Sequence, residues 1–394
     1  MSRLAASQMP LAFEELRFDG WLLGAVLTLI GIGVVMVTSS SLVYSEQHMQ
    51  GNAFYFVNRH LIYLFVALCA ALVALQLDTR FWSSFGPYLL LAGILLLLVV
   101  MLAGREVNGA RRWLLLGPVT VQASEIMKFC IITYLAGYLV RRSDELQTQI
   151  RGFMKPLLII GLVVGLLLQQ PDFGAAAVIV ATCLAMLFLA GASLWQFIAL
   201  SGLVTLVMGL IAVAEPYRFQ RLISFVDPWA DQFGSGYQLV QSLIAFGRGQ
   251  WFGEGLGNSV QKLSYLPEAH TDFVMAVLAE ELGFVGVALV LMLFAVIFVR
   301  AMKIGRRALL MEHYFAAYLA YGFGFWLSLQ ALINMGVASG ALPTKGLTLP
   351  FVSYGGNSLI VTCVAAAILL RVDLESRQKE AALARTRGGH HVTA

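Results

Sequence analysis

The stretch Tyr265-Leu266-Pro267-Glu268-Ala269-His270-Thr271-Asp272-Phe273 ends against Val274-Met275-Ala276-Val277, and a longer apolar run, Leu282–Val299, follows. Two carboxylates and an imidazole thus stand at the threshold of a segment long enough to cross a bilayer, which takes about 20 mostly apolar residues. A soluble protein places such groups together at little cost. In a membrane protein they carry a desolvation penalty, so they pair, line a wet cavity or take part in chemistry. Composition decides the solvent: of 394 residues 59% are hydrophobic and only 12% charged, against about 25% charged in an ordinary soluble domain. So few charges cannot cover a soluble fold of this length, and the chain reads as an all-α polytopic membrane protein. The net charge of +4, with no basic run interleaved with aromatics, argues against nucleic acid as a partner. Cys69, Cys130, Cys183 and Cys363 lie in apolar segments without Cys-x-x-Cys spacing and read as small packing residues.

Working outward from that stretch, the apolar segments are Trp21–Ser41, His60–Leu77, Phe85–Ala103, Glu125–Val140, Pro156–Gln169, Phe173–Ala190, Phe197–Ala214, Leu282–Val299, His313–Val337 and Asn357–Leu370. That makes about ten transmembrane helices, with both termini on one side. Arg3, Arg17, Arg141, Arg142, Arg151, Lys155, Arg300, Lys303, Arg306, Arg307, Arg371, Arg377, Lys379, Arg385 and Arg387 all fall on one side of this arrangement. The positive-inside rule makes that side cytoplasmic. Arg105, Arg111, Arg112, Arg218, Arg221, Arg248 and Lys262 fall on the outer side, a mild pointer to an anionic ligand there. Three regions follow: a cytoplasmic N-terminal tail at 1–19, a membrane domain at 20–371, and a cytoplasmic C-terminal tail at 372–394. The long outer loop, 215–271, lies between helices 7 and 8. Within it Tyr237–Phe246 predicts an interfacial or re-entrant amphipathic helix, with Tyr237, Leu239, Val240, Leu243, Ile244 and Phe246 on the apolar face and Gln238, Gln241 and Ser242 opposite. The glycines at 247, 249, 253, 255 and 257 follow no strand, so close backbone packing or a flexible lip is expected rather than a nucleotide loop. The last outer loop contains Pro343, Lys345 and Pro350; non-helical backbone near membrane depth must be covered by protein or line a cavity.

Each ionisable group has a structural and a chemical reading. Asp272 sits where a helix N-cap is expected, a role Thr271 fills equally well; a carboxylate at the membrane edge is also a candidate for catalysis. Glu268 and His270 read as a loop pair facing water. Glu125 and Lys128, spaced i, i+3, share a helix face and form either a structural ion pair or the polar wall of a cavity, with Lys128 near a phosphate. Arg111-Arg112-Trp113 reads as an interfacial anchor or a phosphate contact. Asp172 reads as a turn residue, and Glu280 and Glu281 as packing or cavity acids.

Four motifs, Asn108–Trp113, Gln122–Lys128, Gln261–Phe273 and Pro343–Gly356, together resemble the SEDS family (shape, elongation, division and sporulation), in order and over nearly the whole chain. Gln261-Lys262-Leu263 and Pro343-Thr344-Lys345-Gly346-Leu347-Thr348 are similar to its cell-division branch rather than its elongation branch. Ala123 stands where the family often has Pro, and Asn357 where it often has Ser. The resemblance implies a glycosyltransferase of the bacterial inner membrane, at the division septum, that polymerises lipid II. It implies a division-specific class B penicillin-binding protein, supplying the crosslinking domain this chain lacks, and other divisome membrane proteins as partners. Asp272 matches the family's essential outer-loop aspartate, and Glu125 and Lys128 match its helix-4 polar pair. A pyrophosphate leaving group needs positive charge, from Lys128, Arg111, Arg112 or Lys345 in that order, or from a divalent cation such as Mg²⁺ or Mn²⁺. Asp272 is then a general base or a metal ligand. The rival expectation is a flippase for the lipid-linked precursor, and a third is a non-catalytic division scaffold. A flippase needs polar groups through the whole membrane depth, whereas here they gather at the outer edge.

Overall fold

A backbone in hydrocarbon must satisfy its own N–H and C=O groups, and the long apolar runs accordingly fold as helices. The computed structural model describes residues 18–107, 110–117, 119–148, 150–191, 195, 198–199, 202, 206, 209, 213, 220, 223–344 and 346–389. The helices are α1 (Gly20–His48), α2 (Tyr55–Gln76), α3 (Thr79–Ala103), α4 (Ala123–Arg141), the short α5 (Ser143–Thr148), α6 (Ile150–Gln169), α7 (Phe173–Leu189), α8 (Tyr237–Gly249), α9 (Val274–Leu310), α10 (Tyr314–Ala338) and α11 (Gly356–Gly389). Among the described residues, eight helices are long and apolar enough to cross a membrane. The apolar α7, at 17 residues, is shorter. The expected span Phe197–Ala214 lies outside the described residues except for isolated positions, as do Lys345 and the outer cations Arg218 and Arg221. α4 is almost wholly enclosed and packs among α3, α7, α10 and α11, so its charged face is held in the middle of the bundle.

One element departs from the all-helical expectation. Between α3 and α4 the chain forms a small antiparallel sheet of β1 (Arg105–Val107), β2 (Ala110–Leu116) and β3 (Val119–Gln122), in the order β1-β2-β3, with Trp113 opposite Gln122. Arg111-Arg112-Trp113, expected in a loop ahead of α4, therefore lies on a strand.

α9 is broken. Gly283 has φ 67° and ψ −165°, so residues 274–282 form a half-helix before the spanning part begins. A break frees backbone groups that hydrocarbon cannot satisfy, and the glycine-rich loop satisfies them. The carbonyls of Glu280 and Glu281 accept from the N–H groups of Glu254 (2.9 Å) and Gly255 (3.1 Å), while Phe284 and Val285 donate to the carbonyls of Gln250 (2.8 Å) and Trp251 (3.1 Å). A Cβ on Gly253, itself at φ 78°, would lie 2.2 Å from the Glu281 carbonyl. Close backbone packing is what these glycines provide. The Glu280 carboxylate accepts from Ser259 Oγ and from the N–H groups of Val260 (3.1 Å) and Gln261 (3.2 Å), with Arg248 Nε 3.3 Å away. Glu281 pairs with Lys262 at 2.8 Å and accepts from Ser39 of α1 at 2.6 Å. Both acids are fully buried.

α8 docks on α9 and α10 through Leu239, Val240 and Ala245. Ser242, expected on the polar face, is also buried there and donates to the Ala338 carbonyl at 2.6 Å. At the far end of the bundle, charges close on one another: Arg300 with Asp19, Arg307 and Arg377 with Asp373, and Arg371 with Asp78 and Glu375. α11 continues beyond residue 372, with Val372, Asp373 and Ser376 buried against its neighbours.

Candidate active site

The start of α2, the sheet, and the starts of α4, α7, α9 and α11 meet at one end of the bundle around a cavity of about 820 Å³. Phe173, Gly174 and Ala175 at the start of α7, Phe273 just before α9, and Gly356 and Asn357 at the start of α11 all line it. Helix N-termini carry positive partial charge, and three begin at this space, that of α7 already capped by the Asp172 carboxylate. Arg59, Arg105 and Arg112 line the same space.

Asp272 is half-buried on the cavity wall. The N-cap position of α9 is Phe273 and carries no side-chain cap bond, so the expected capping role falls one residue off. The Asp272 carbonyl accepts from Asn334 Nδ2 of α10 at 2.8 Å. Its carboxylate lies against Gly346: a Cβ there would sit 3.0 Å from Oδ2 and 3.9 Å from Arg112 Nη1. Arg112 donates through Nε to the Gln170 carbonyl at 3.2 Å and through Nη2 to that of Pro171; these neutral acceptors aim the guanidinium without cancelling its charge. Arg111, one residue along the strand, does not line the cavity and faces Glu106 at 3.4 Å. Trp113 does line it.

Lys128 is fully enclosed. Its Nζ donates to Glu125 Oε1 (2.8 Å) and Gln330 Oε1 (2.6 Å) and sits 5.4 Å over the Trp326 ring. Only the Glu125 half of the pair reaches the cavity wall, and its Oε2 has no hydrogen-bond partner among the described residues. Both readings of the pair hold in part: it is a buried ion pair, and one member is a polar wall.

Glu268 lines the cavity and accepts from Thr271 Oγ1 at 2.6 Å. His270 does not face water. It is buried among Tyr44, Phe56 and Tyr354, with ring centroids 5.3, 4.8 and 5.7 Å away, and its carbonyl accepts from the Tyr354 N–H at 2.9 Å. Burial holds its imidazole below the ordinary value of 6.5, with Glu268 opposing the shift. Pro343 and Pro350 bracket the loop that lines the cavity with Thr344, Gly346, Leu347 and Thr348. Asp172 caps α7, accepting from the Ala175 N–H at 3.2 Å, and also lines the cavity.

Arg59 was not singled out from the sequence. It bonds Tyr55 Oη (2.8 Å) and Tyr63 Oη (3.4 Å), one turn to either side. The signal was present: a cation between two tyrosines at i−4 and i+4, one residue ahead of an apolar span. Asn357, at a position where the resemblance favours Ser, donates to the Thr120 carbonyl at 2.6 Å and ties α11 to β3. Among the described residues no three His, Cys, Asp or Glu side chains form a metal cage. Asp272 fits a divalent cation only as a one-carboxylate anchor completed by phosphate oxygens and water, the usual Mg²⁺ arrangement.

Residues 20–378 match the cell cycle protein family of FtsW, RodA and SpoVE. The chain belongs to this family. It is 56% identical over 360 residues to the probable peptidoglycan glycosyltransferase FtsW of Alteromonas naphthalenivorans, covering 91% of this chain and 70% of that one. It is 53% identical to the protein of the same description from Coxiella burnetii, covering 91% and 97%. Its fold is similar to a chain from a peptidoglycan synthase complex solved to show how polymerization and crosslinking are coordinated, with a TM-score of 0.74, 30% identity, and coverage of 92% and 99%. The FtsW/RodA/SpoVE match spans every helix described above from α1 to the buried part of α11, so the whole cavity lies within the family's common part.

Proposed function

We propose that this chain is a peptidoglycan glycosyltransferase of the cell-division branch, polymerising lipid II into β-1,4-linked glycan strands at the outer face of the inner membrane. The observation that carries the reading is one cavity in which Asp272 shares a wall with Arg112, Arg59 and three helix N-termini. The relatives' descriptions support the activity.

In the reaction, the 4-hydroxyl of the acceptor GlcNAc attacks the anomeric carbon of the MurNAc at the reducing end of the growing strand. The new C–O bond forms as the bond to the polyprenyl pyrophosphate breaks, with inversion. Asp272 takes the hydroxyl proton; one positioned carboxylate suffices for a direct displacement. The pyrophosphate gathers charge as it leaves, and pre-aimed positive groups stabilise it. Of the cations first weighed for that task, Arg112 is the one on the described cavity wall, and Arg59 and Arg105 join it. Lys128 acts indirectly, through Glu125 and Gln330. The alternative role of Asp272 is to anchor a divalent cation, which would supply positive charge at the pyrophosphate in place of base chemistry by that carboxylate. The closed ion pairs at the far end favour an enzyme opening to one side over a flippase.

A class B penicillin-binding protein as crosslinking partner, and the septum as the site of action, complete the proposal; the similarity to a synthase-complex chain supports the first. The test is polymerisation of purified lipid II, with and without the partner transpeptidase, by the wild type and Asp272→Asn. Loss of polymer in a folded, partner-binding variant is expected. Polymer at the wild-type rate would falsify the assignment.

A further inference from the structure

α10 carries a polar row through an otherwise apolar helix: Trp326, Gln330 and Asn334, at i, i+4 and i+8. All three side chains are on one face and all are buried. Gln330 accepts from Lys128 and Trp326 through Oε1 and donates through Nε2 to the Thr348 carbonyl at 2.9 Å. One turn on, Asn334 Nδ2 donates to two carbonyls from different loops, Asp272 at 2.8 Å and Leu347 at 2.6 Å. Both neighbours are acceptors, so the amide orientation follows from the network. Its Oδ1 is buried with no hydrogen-bond partner among the described residues. An unsatisfied buried acceptor costs stability, so this amide is held for its two donors.

We propose that Asn334 is a positioning residue for Asp272, an inference that rests on Asp272 acting as the base. The amide fixes Asp272 in two ways. It holds the residue's own backbone. It also holds Leu347, and thereby the adjoining Gly346, against which the carboxylate rests: a methyl there would lie 3.0 Å from Oδ2. A shift of either loop moves the carboxylate relative to an acceptor hydroxyl. Through Thr348 and Gln330 the same row reaches Lys128 and Glu125, so the wall that carries the base and the wall that carries the buried ion pair share one helix as their reference.

The test uses the full chain with its partner transpeptidase and purified lipid II. Asn334→Leu removes both donors while keeping the branched heavy-atom outline. Because a misplacement of about 1 Å costs on the order of 100-fold in rate, kcat should fall between roughly 10- and 100-fold while KM stays within about twofold. Asn334→His, which restores an N–H at similar reach, should recover part of the loss. Gly346→Ala approaches the same carboxylate from the loop and should also lower kcat with KM held. A folded Asn334→Leu protein with wild-type kcat overturns the proposal, as does a loss that scales only with the folded fraction. If Asn334→Leu does not fold, Gly346→Ala decides: wild-type kcat overturns, a kcat-only loss supports. Asp272→Asn is the control for the underlying reading. An active Asp272→Asn sinks that reading, whereas an inactive Asp272→Asn beside a fully active Asn334→Leu sinks only the role of Asn334.

Discussion

The half-helix at residues 274–282 has acidic residues near both ends, and the two ends are built oppositely. At its far end Glu280 and Glu281 are fully buried, and each is answered by a cation and by further donors from the loop or from α1. At its near end, roughly 13 Å away at about 1.5 Å per residue, Asp272 lines a cavity with arginines and helix N-termini around it. The residue type is nearly the same. What differs is the destination of the charge. Where protein donors close around a carboxylate it fastens a loop to a helix; where the carboxylate lines a cavity, beside three arginines and three further acids, it is placed to meet a ligand. The sealed end is what makes the open end usable, since the break at Gly283 would otherwise leave the half-helix unsupported.

The sharpest way to break this contrast is to neutralise one carboxylate at each end. Asp272→Asn is expected to lower polymerisation by about 10²- to 10⁴-fold, the usual worth of a general base, with thermal unfolding and partner binding close to wild type. A variant that melts early as well would make Asp272 structural and erase the distinction. Glu281→Leu should do the reverse: it leaves Lys262 buried without its partner, a loss of about 3–5 kcal/mol, read as a lower unfolding midpoint and reduced yield. Pairing it with Lys262→Met removes both charges and should restore most of the stability, because a buried ion pair replaced as a unit is often near neutral. If the double variant is as unstable as the single, the pair does more than offset its own desolvation.

Much of this was legible in the chain. The helical class and nearly every span followed from apolar length, and Asp272 stood out because a carboxylate beside such a run needs a reason. The sheet was not foreseen, because β1 to β3 are short and lie between spans, although Asn108-Gly109 is a strong hairpin signal. The break in α9 lies beside the Glu280-Glu281 pair, but a lone glycine there reads as well for a continuous helix; only the partner loop shows that its neighbours' carbonyls are satisfied elsewhere. A chain pattern cannot show that Lys128 is enclosed by Gln330 and Trp326, or that Arg111 turns to Glu106 while its neighbour Arg112 lines the cavity. Arg59 was missed because its partners, Tyr55 and Tyr63, belong to the same helix and read as ordinary interfacial aromatics.

The contrast between Arg111 and Arg112 gives a finer test on the open end. Arg112→Gln should lower kcat by roughly 10-fold or more, within the range for removing one stabilising donor from a developing anion. Arg111→Gln, which removes a half-exposed charge facing Glu106, should stay within about twofold of wild type. Equal losses from the two would mean that cation count at this end matters and aim does not.

The smallest expected effect concerns His270, which packs the Asp272 loop onto α1, α2 and the last loop through Tyr44, Phe56 and Tyr354. Burial lowers its affinity for a proton below the ordinary value of 6.5, although Glu268 pulls the other way. The unfolded chain therefore binds more protons than the folded one between the lowered value and 6.5. Stability rises with pH through that window, is complete above it, and is lost as pH falls below 6.5. Acidification should thus loosen the open end before the sealed end. The measurement is the unfolding midpoint and the hydrogen exchange of residues near 268–273 between pH 7.5 and about 5, in wild type and His270→Phe. His313, at the opposite end of the bundle, is also held below 6.5 by burial, so part of the global slope should survive in the variant. The local slope at 268–273 should not; if it does, the imidazole is not what ties this loop's packing to pH.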